Sequence, residues 1–315
     1  MKINKAFIYL ITAAIIWGAT VPIMKITLRE IPIASLVFIR MTVASIVLLP
    51  FVYKNLKVKK EDAKIFVLSA LFGTNLNLAF LFIGLKYSYA INASVIVSIT
   101  PLLTLLFAHI FLKEKYTTKL VLGALIALSG VILIVGTPIL KTDIMSSIGN
   151  LFLVAAAFAW VGHELFSKRL LKSYTPLVCA FYTTFLGGLF FSPLFVLDIV
   201  KNPDWISNVS KSGVLGLLYG TFAASIIGYV AWQKGLAKTT ASEASFVFYL
   251  LPLSGILFSI ILLDEKFSPF LLIGATLILI GVIFAELHRK KTKFSSIHGK
   301  VVQFLVKLLL GQRYI

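Results

Sequence analysis

Ten stretches of this chain are long and apolar enough to cross a bilayer: residues 6–26, 32–53, 65–84, 90–112, 119–138, 147–168, 175–197, 212–233, 242–263 and 269–287. Crossing the hydrocarbon as a helix takes about 20 mostly apolar residues. Lipid offers no hydrogen bonds, so each segment must satisfy its own backbone. These two constraints set the expected fold class as an all-α membrane protein with ten transmembrane helices. Composition agrees, with 59% hydrophobic and 13% charged residues and a mean hydropathy of +0.98. A soluble domain is roughly half apolar and a quarter charged. Lys2 and Lys5 lead into the first apolar run. No small-residue cleavage site follows it, so it reads as a membrane helix and not as a removed signal peptide.

An internal repeat divides the chain. The stretch Gly84–Ile132 returns 151 residues later as Gly235–Ile283, and the two agree at 20 of 49 positions without a gap. Matches between leucines are cheap. Pro101/Pro252, Glu114/Glu265, Lys115/Lys266, Gly123/Gly274 and Gly130/Gly281 in one register are not. Trp17 and Lys25 pair with Trp160 and Lys168 at an offset of 143. The expected units are a first five-helix repeat over 1–140, a second over 141–288 and a basic tail over 289–315. In the tail, Lys300, Gln303 and Lys307 share one helical face, which is consistent with an interfacial helix or with an unstructured end.

Loop charges set the expected orientation. With the N-terminus inside, 22 Lys and Arg fall on the cytoplasmic side and seven outside, a bias that selects both termini cytoplasmic in the cell membrane. Five helices per repeat is an odd number, so the second copy enters from the opposite face. Such inverted repeats are a feature of secondary transporters, which hold substrate near the midplane between the halves.

Several function classes drop out. The net charge of +18 lies in short loops between apolar spans, which argues against nucleic acid as a partner. Cys179 is the one cysteine, so there is neither an internal disulfide nor a thiolate metal site. There is no Walker A loop, no His/Asp/Glu cluster at metal spacing and no cofactor motif.

The run Ala14-Ile15-Ile16-Trp17-Gly18-Ala19-Thr20 resembles the first-helix Trp-Gly signature of the EamA family, part of the drug/metabolite transporter superfamily. Phe38-Ile39-Arg40 is similar to its second-helix arginine, and Gly84-Leu85-Lys86-Tyr87 through Ala93-Ser94, Pro101, Lys113-Glu114-Lys115 and Gly123 to its repeat unit. The second copy carries Pro252, Asp264-Glu265-Lys266 and Gly274. The resemblance covers about residues 6–287 and implies ten helices and the movement of amino acids or other small metabolites. Two departures stand out: Val161 follows Trp160 where the signature has Gly, and His163-Glu164 puts titratable groups at an apolar position.

Polar groups at membrane depth are costly and mark candidate sites. Pro101 and Pro252 break helix hydrogen bonds, either as cavity-lining gates or as packing kinks. Ser94 and Ser98 precede the first proline, and Ser245 and Tyr249 the second, one and two turns away on one face. These faces are expected to meet across a central cavity, with helix packing as the alternative for Ser94 and Ser245. Asn75 and Asn77 lie about 200° apart on a helix, so only one of them is expected to reach substrate. Trp17, Thr20, Trp160, His163, Tyr229 and Trp232 complete the expected binding set, with an aromatic-belt role open for Trp232. Arg40 is assigned to gating or to holding a carboxylate, or it snorkels outward. Glu164 either carries a coupling proton, with His163 sharing that role, or pairs with Lys168 at i,i+4.

The function that fits best is a secondary transporter, an exporter of small metabolites such as amino acids, working by alternating access. Its partners are a small-molecule substrate and the lipid bilayer, with the chain acting as monomer or homodimer. The competing reading is an intramembrane enzyme acting on a lipid through His163, Glu164 and His109. Consecutive helical residues point about 100° apart, which makes His163 and Glu164 a poor catalytic pair. A receptor would need a signalling domain that the spans leave no room for.

Overall fold

The computed structural model describes residues 5–112, 122, 123, 125, 126, 129, 130, 133, 143–245, 248, 251–264 and 269–286. Every regular element among them is helical. The main helices are α1 (Lys5–Thr27), α2 (Ile33–Val52), α3 (Lys60–Tyr87), α4 (90–112), α5 (Ile144–Leu170), α6 (Pro176–Lys201), α7 (Lys211–Leu236), α8 (Leu251–Leu263) and α9 (Pro269–Glu286). Among the described residues, seven stretches along α1 to α7 are long and apolar enough to span a membrane. The expected fifth span lies mostly outside the described residues, as do the tail and both Glu-Lys motifs.

Three helices change pitch: α3 and α7 where the sequence marks no break, and α4 beside Pro101, where it does. Helix α3 passes through a π-helical stretch at Leu71–Leu76, and α7 through a longer one at Tyr219–Gly228. Helix α4 tightens to a 3₁₀ turn at Val97–Ile99, just before Pro101. Such irregularities cluster at functional sites. All three border the region described in the next subsection.

Caps and polar clamps fix the ends. The Asp143 carboxylate accepts from Ser146 N at 3.1 Å to start α5. Thr175 Oγ1 does the same for Val178 N, with Pro176 opening α6. Asp198 near the end of α6 accepts from both N and Oγ of Ser35, at 3.1 and 2.9 Å, and so holds the start of α2. At the end of α1, the Lys25 ammonium donates to the carbonyl of Ser88, in the turn after α3. At the end of α5, Lys168 donates to the carbonyls of Leu236 and Thr239, in the turn after α7. In both cases a cation meets the negative end of a neighbouring helix.

Helix α1 lies at the centre, against α7 and α8, while α2 runs along α6 and the Asn77–Tyr87 half of α3 along α5. Small residues let these axes approach. A Cβ on Gly216 would stand 1.9 Å from Thr27 Oγ1, and one on Gly255 would stand 2.2 Å from Ser94 Oγ. Large apolar side chains such as Ile46, Phe51, Leu194 and Val200 are turned outward, as expected of a surface solvated by lipid.

Candidate functional site

A cavity of about 90 Å³ opens where α1, α2, α3, α4, α5, α7 and α8 converge. Helix α1 supplies Trp17, Thr20, Val21 and Met24, and α2 supplies Arg40. Asn77, Leu78, Leu81, Phe82 and Leu85 come from α3 just past its π-helical stretch, and Val97 and Thr100 flank the 3₁₀ turn of α4. Ala156, Ala157 and Trp160 come from α5, Ala224 and Tyr229 from α7, Phe248 precedes α8 and Leu251 opens it. A site holding a small organic ligand has several hundred Å³. The cavity is smaller than that.

Positions paired by the two sequence offsets share the wall. The 151-residue offset relates Leu78 to Tyr229, Val97 to Phe248 and Thr100 to Leu251, and the 143-residue offset relates Trp17 to Trp160. All eight side chains line the cavity.

An aromatic cluster closes one end. Trp17 meets Trp160 edge to face at 5.0 Å between centroids, Tyr229 at 5.6 Å, Trp232 at 5.7 Å and Phe248 at 6.3 Å. Trp17 Nε1 donates to Ala224 O at 3.1 Å, and Tyr229 OH donates to Gly73 O at 3.0 Å. Thr20 Oγ1 is spent on Ile16 O at 2.7 Å, and Asn77 Nδ2 donates to Ala156 O at 2.8 Å. Trp160 Nε1 is buried without an acceptor. Opposite stands Arg40, only 2% exposed, with its guanidinium 5.5 Å from the Phe82 ring centroid. Its Nη2 donates to Ser225 Oγ at 3.1 Å, its Nη1 faces Met24 Sδ at 3.4 Å, and its Nε has no partner.

Behind the aromatic cluster lies a polar knot. His163 Nδ1 is 2.8 Å from Ser69 O, so that nitrogen carries the hydrogen, and Nε2 faces Ser167 Oγ at 3.4 Å. Ser167 Oγ also takes Ser69 Oγ at 3.0 Å and Gln233 Nε2 at 3.2 Å. The fully buried Glu164 accepts from Thr104 Oγ1 at 2.8 Å through Oε2, and its Oε1 has no hydrogen-bond partner. Lys168, the alternative partner of Glu164, acts on it as a neighbouring charge and also donates to carbonyls at the end of α7.

Of the residues singled out in the sequence, the fold gathers Trp17, Thr20, Arg40, Asn77, Trp160 and Tyr229 on one wall. Asn75 donates to Gly187 O at 3.3 Å, and Asn77 is the asparagine on the cavity wall. Trp232 is fully buried behind Trp17 and Trp160, so an aromatic-belt position does not apply. Arg40 is likewise enclosed and does not snorkel. Ser94 and Ser245 are buried off the cavity, bonded to Ala90 O and Ser242 O, because Ser94 packs against Gly255 and both hydroxyls turn back on their own helices. His163 lies behind the wall and Pro101 is buried in α4. Tyr249 and the side chains of Ser98, His109 and Pro252 lie outside the described residues. The sequence reading did not single out Leu78, Leu81, Phe82, Val97 or Phe248. Their only signal was that the repeat offsets join Leu78 and Val97 to other wall residues.

The model of the EamA-like transporter family matches residues 4–136 and again 147–287. The chain is 30% identical over 296 residues to the "Uncharacterized transporter YyaM" of Bacillus subtilis, covering 91% of this chain and 95% of that protein. It is 28% identical to the "Probable terminal-alkyne amino-acid exporter" of Streptantibioticus cattleyicolor, covering 90% and 94%. It is 23% identical to the "Probable amino-acid metabolite efflux pump" of Escherichia coli, covering 90% and 96%. A solved structure titled "Crystal structure of protein" shares the fold with a TM-score of 0.64 at 20% identity, over 92% of this chain and 99% of that one.

Proposed function

The chain belongs to the EamA-like transporter family, and on that premise we propose that it is a secondary transporter exporting small metabolites such as amino acids by alternating access. It is a multi-pass membrane protein and not an enzyme, which removes the reading of His163 and Glu164 as lipid-processing groups. The reading places it in the cell membrane with both termini cytoplasmic and ten helices as two inverted repeats, 1–140 and 141–288.

The observation that carries this reading is the matched wall. An inverted repeat lets each half adopt the conformation the other has just left, so a shared cavity should draw equivalent positions from both. Leu78/Tyr229, Val97/Phe248, Thr100/Leu251 and Trp17/Trp160 do so. Two further features support it. The 151-residue offset carries Leu71–Leu76 onto 222–227, inside the second π-helical stretch. The Lys25–Ser88 clamp has its counterpart in Lys168–Thr239, at offsets of 143 and 151.

In the proposed site, Trp17, Thr20, Asn77, Trp160 and Tyr229 contact substrate, Pro101 and Pro252 flex as gates, and Glu164 is the coupling group. The test is flux. Purified protein in liposomes preloaded with radiolabelled leucine or phenylalanine should release label faster than protein-free liposomes, saturably and with competition by the unlabelled amino acid. Release equal to the protein-free control across neutral apolar amino acids would remove this reading.

A further inference from the structure

Arg40 is the one cationic side chain on the described cavity wall, and no described lining residue is acidic. A guanidinium offers five N–H donors and no acceptor. Here Nη2 meets a neutral hydroxyl, Nη1 meets a thioether, which is a weak acceptor, and Nε meets nothing. A buried cation without a countercharge is strongly disfavoured unless one is supplied. Trp160 Nε1 is a second buried donor without an acceptor on the same wall. Arg40 and Trp160 thus bring donors to the wall without charged acceptors to meet them, and the acceptors that the wall does offer, the oxygens of Thr20, Asn77 and Tyr229, are neutral.

We infer that Arg40 anchors the carboxylate of the transported molecule, and that the cavity selects monocarboxylates with an apolar body, the amine of an amino acid being dispensable. This rests on the reading that the cavity is the substrate site. The planar fork of arginine takes a carboxylate through two parallel N–H···O bonds. Leu78, Leu81, Leu85, Val21 and Phe82 make an apolar wall for the body. An ammonium has no carboxylate to meet on the described wall. Cation–π contact would be its alternative. The rings best placed for that pack on one another, since Trp17 alone touches Trp160, Tyr229, Trp232 and Phe248. Amino acids then enter through their carboxylate, and their ammonium has only the neutral oxygens of Thr20, Asn77 and Tyr229 in place of its water, with no countercharge to offset its desolvation.

Four probes on one carbon skeleton test this on the purified full chain in neutral detergent: 4-methylpentanoate, L-leucine, 4-methylpentan-1-amine and 4-methylpentan-1-ol. Binding is read by quenching of tryptophan fluorescence and by calorimetry. The acid should bind about tenfold or more tighter than the amine and the alcohol, and at least as tightly as leucine. Arg40→Gln should abolish the preference for the acid while leaving the alcohol unchanged, and Arg40→Lys should restore part of it. Should Arg40→Gln fail to fold, Arg40→Lys, which keeps the charge and loses the planar fork, should weaken the acid and spare the alcohol. Equal binding of all four probes, binding of none, or a preference that survives Arg40→Gln or, where that variant does not fold, is undiminished in Arg40→Lys overturns the inference. Because binding is read without flux, an acid-selective protein that moves nothing across liposomes would remove the transport reading and leave this one standing.

Discussion

Trp17 and Trp160, 143 residues apart, meet edge to face with ring centroids 5.0 Å apart and line the same cavity. Their packing is alike, but their hydrogen bonding is not. Trp17 Nε1 donates to Ala224 O, whereas Trp160 Nε1 has no protein partner. Trp17→Phe should therefore destabilise the protein by about 1 kcal/mol more than Trp160→Phe does, the net worth of one hydrogen bond plus the carbonyl left unpaired. Thermal melts of both variants in detergent check this. Equal melting temperatures would show that the Trp17 bond contributes nothing.

Gly73 lies in the π-helical stretch of α3, where an added Cβ would stand 2.2 Å from His163 Nδ1. Gly73→Ala should cost about 1–3 kcal/mol through overpacking. Combining it with His163→Ala should recover part of that loss, because the colliding ring is gone, giving a non-additive double-mutant cycle. Strict additivity would mean that α3 shifts to absorb the methyl without involving His163.

Glu164 has one oxygen bonded to Thr104 and the other without a hydrogen-bond partner. Glu164→Gln keeps the shape and removes the charge. If this carboxylate carries the coupling proton, the variant should flatten the pH dependence of flux in liposomes while probe binding survives. A pH profile identical to wild type would leave Glu164 a structural acceptor for Thr104.

Orientation is checked by reporter fusions at Lys59 and Lys141. With five helices per repeat and both termini cytoplasmic, the first should report the cytoplasm and the second the outside. Reports from the same side would break the inverted arrangement.

The sequence made helix positions legible because hydropathy and length suffice for them: Lys5–Thr27, Ile33–Val52 and Pro176–Lys201 fall within a few residues of the expected spans. It could not show the π-helical stretches, since these depend on neighbours such as His163 and Thr183 pressed against Gly73 and Thr74. Asn75 and Asn77 were ambiguous for the same reason. The helical angle separates them, but only packing decides which one faces Gly187 and which one the cavity. Arg40 was visible as a costly residue. Its enclosure, with a neutral hydroxyl and a thioether as its hydrogen-bond partners, needed the three-dimensional arrangement of α1, α2 and α7. Phe248 was hidden because an aromatic in an apolar run carries no signal of its own.

The two prolines bear most directly on alternating access. Pro101 follows the 3₁₀ turn Val97–Ile99 on the cavity wall, and Pro252 follows Leu251 at the matched place. Restoring a helix hydrogen bond at either point should stiffen one gate and shift the resting population. The measurement is labelling of Thr20→Cys, on the cavity wall, by a membrane-impermeant thiol reagent applied from each side in turn, with Cys179 replaced by serine. Pro101→Ala and Pro252→Ala should move the accessibility of this cysteine in opposite directions, one toward the inside and one toward the outside. If both move it the same way, or neither moves it, the paired prolines are packing kinks and the two halves do not work as alternating gates.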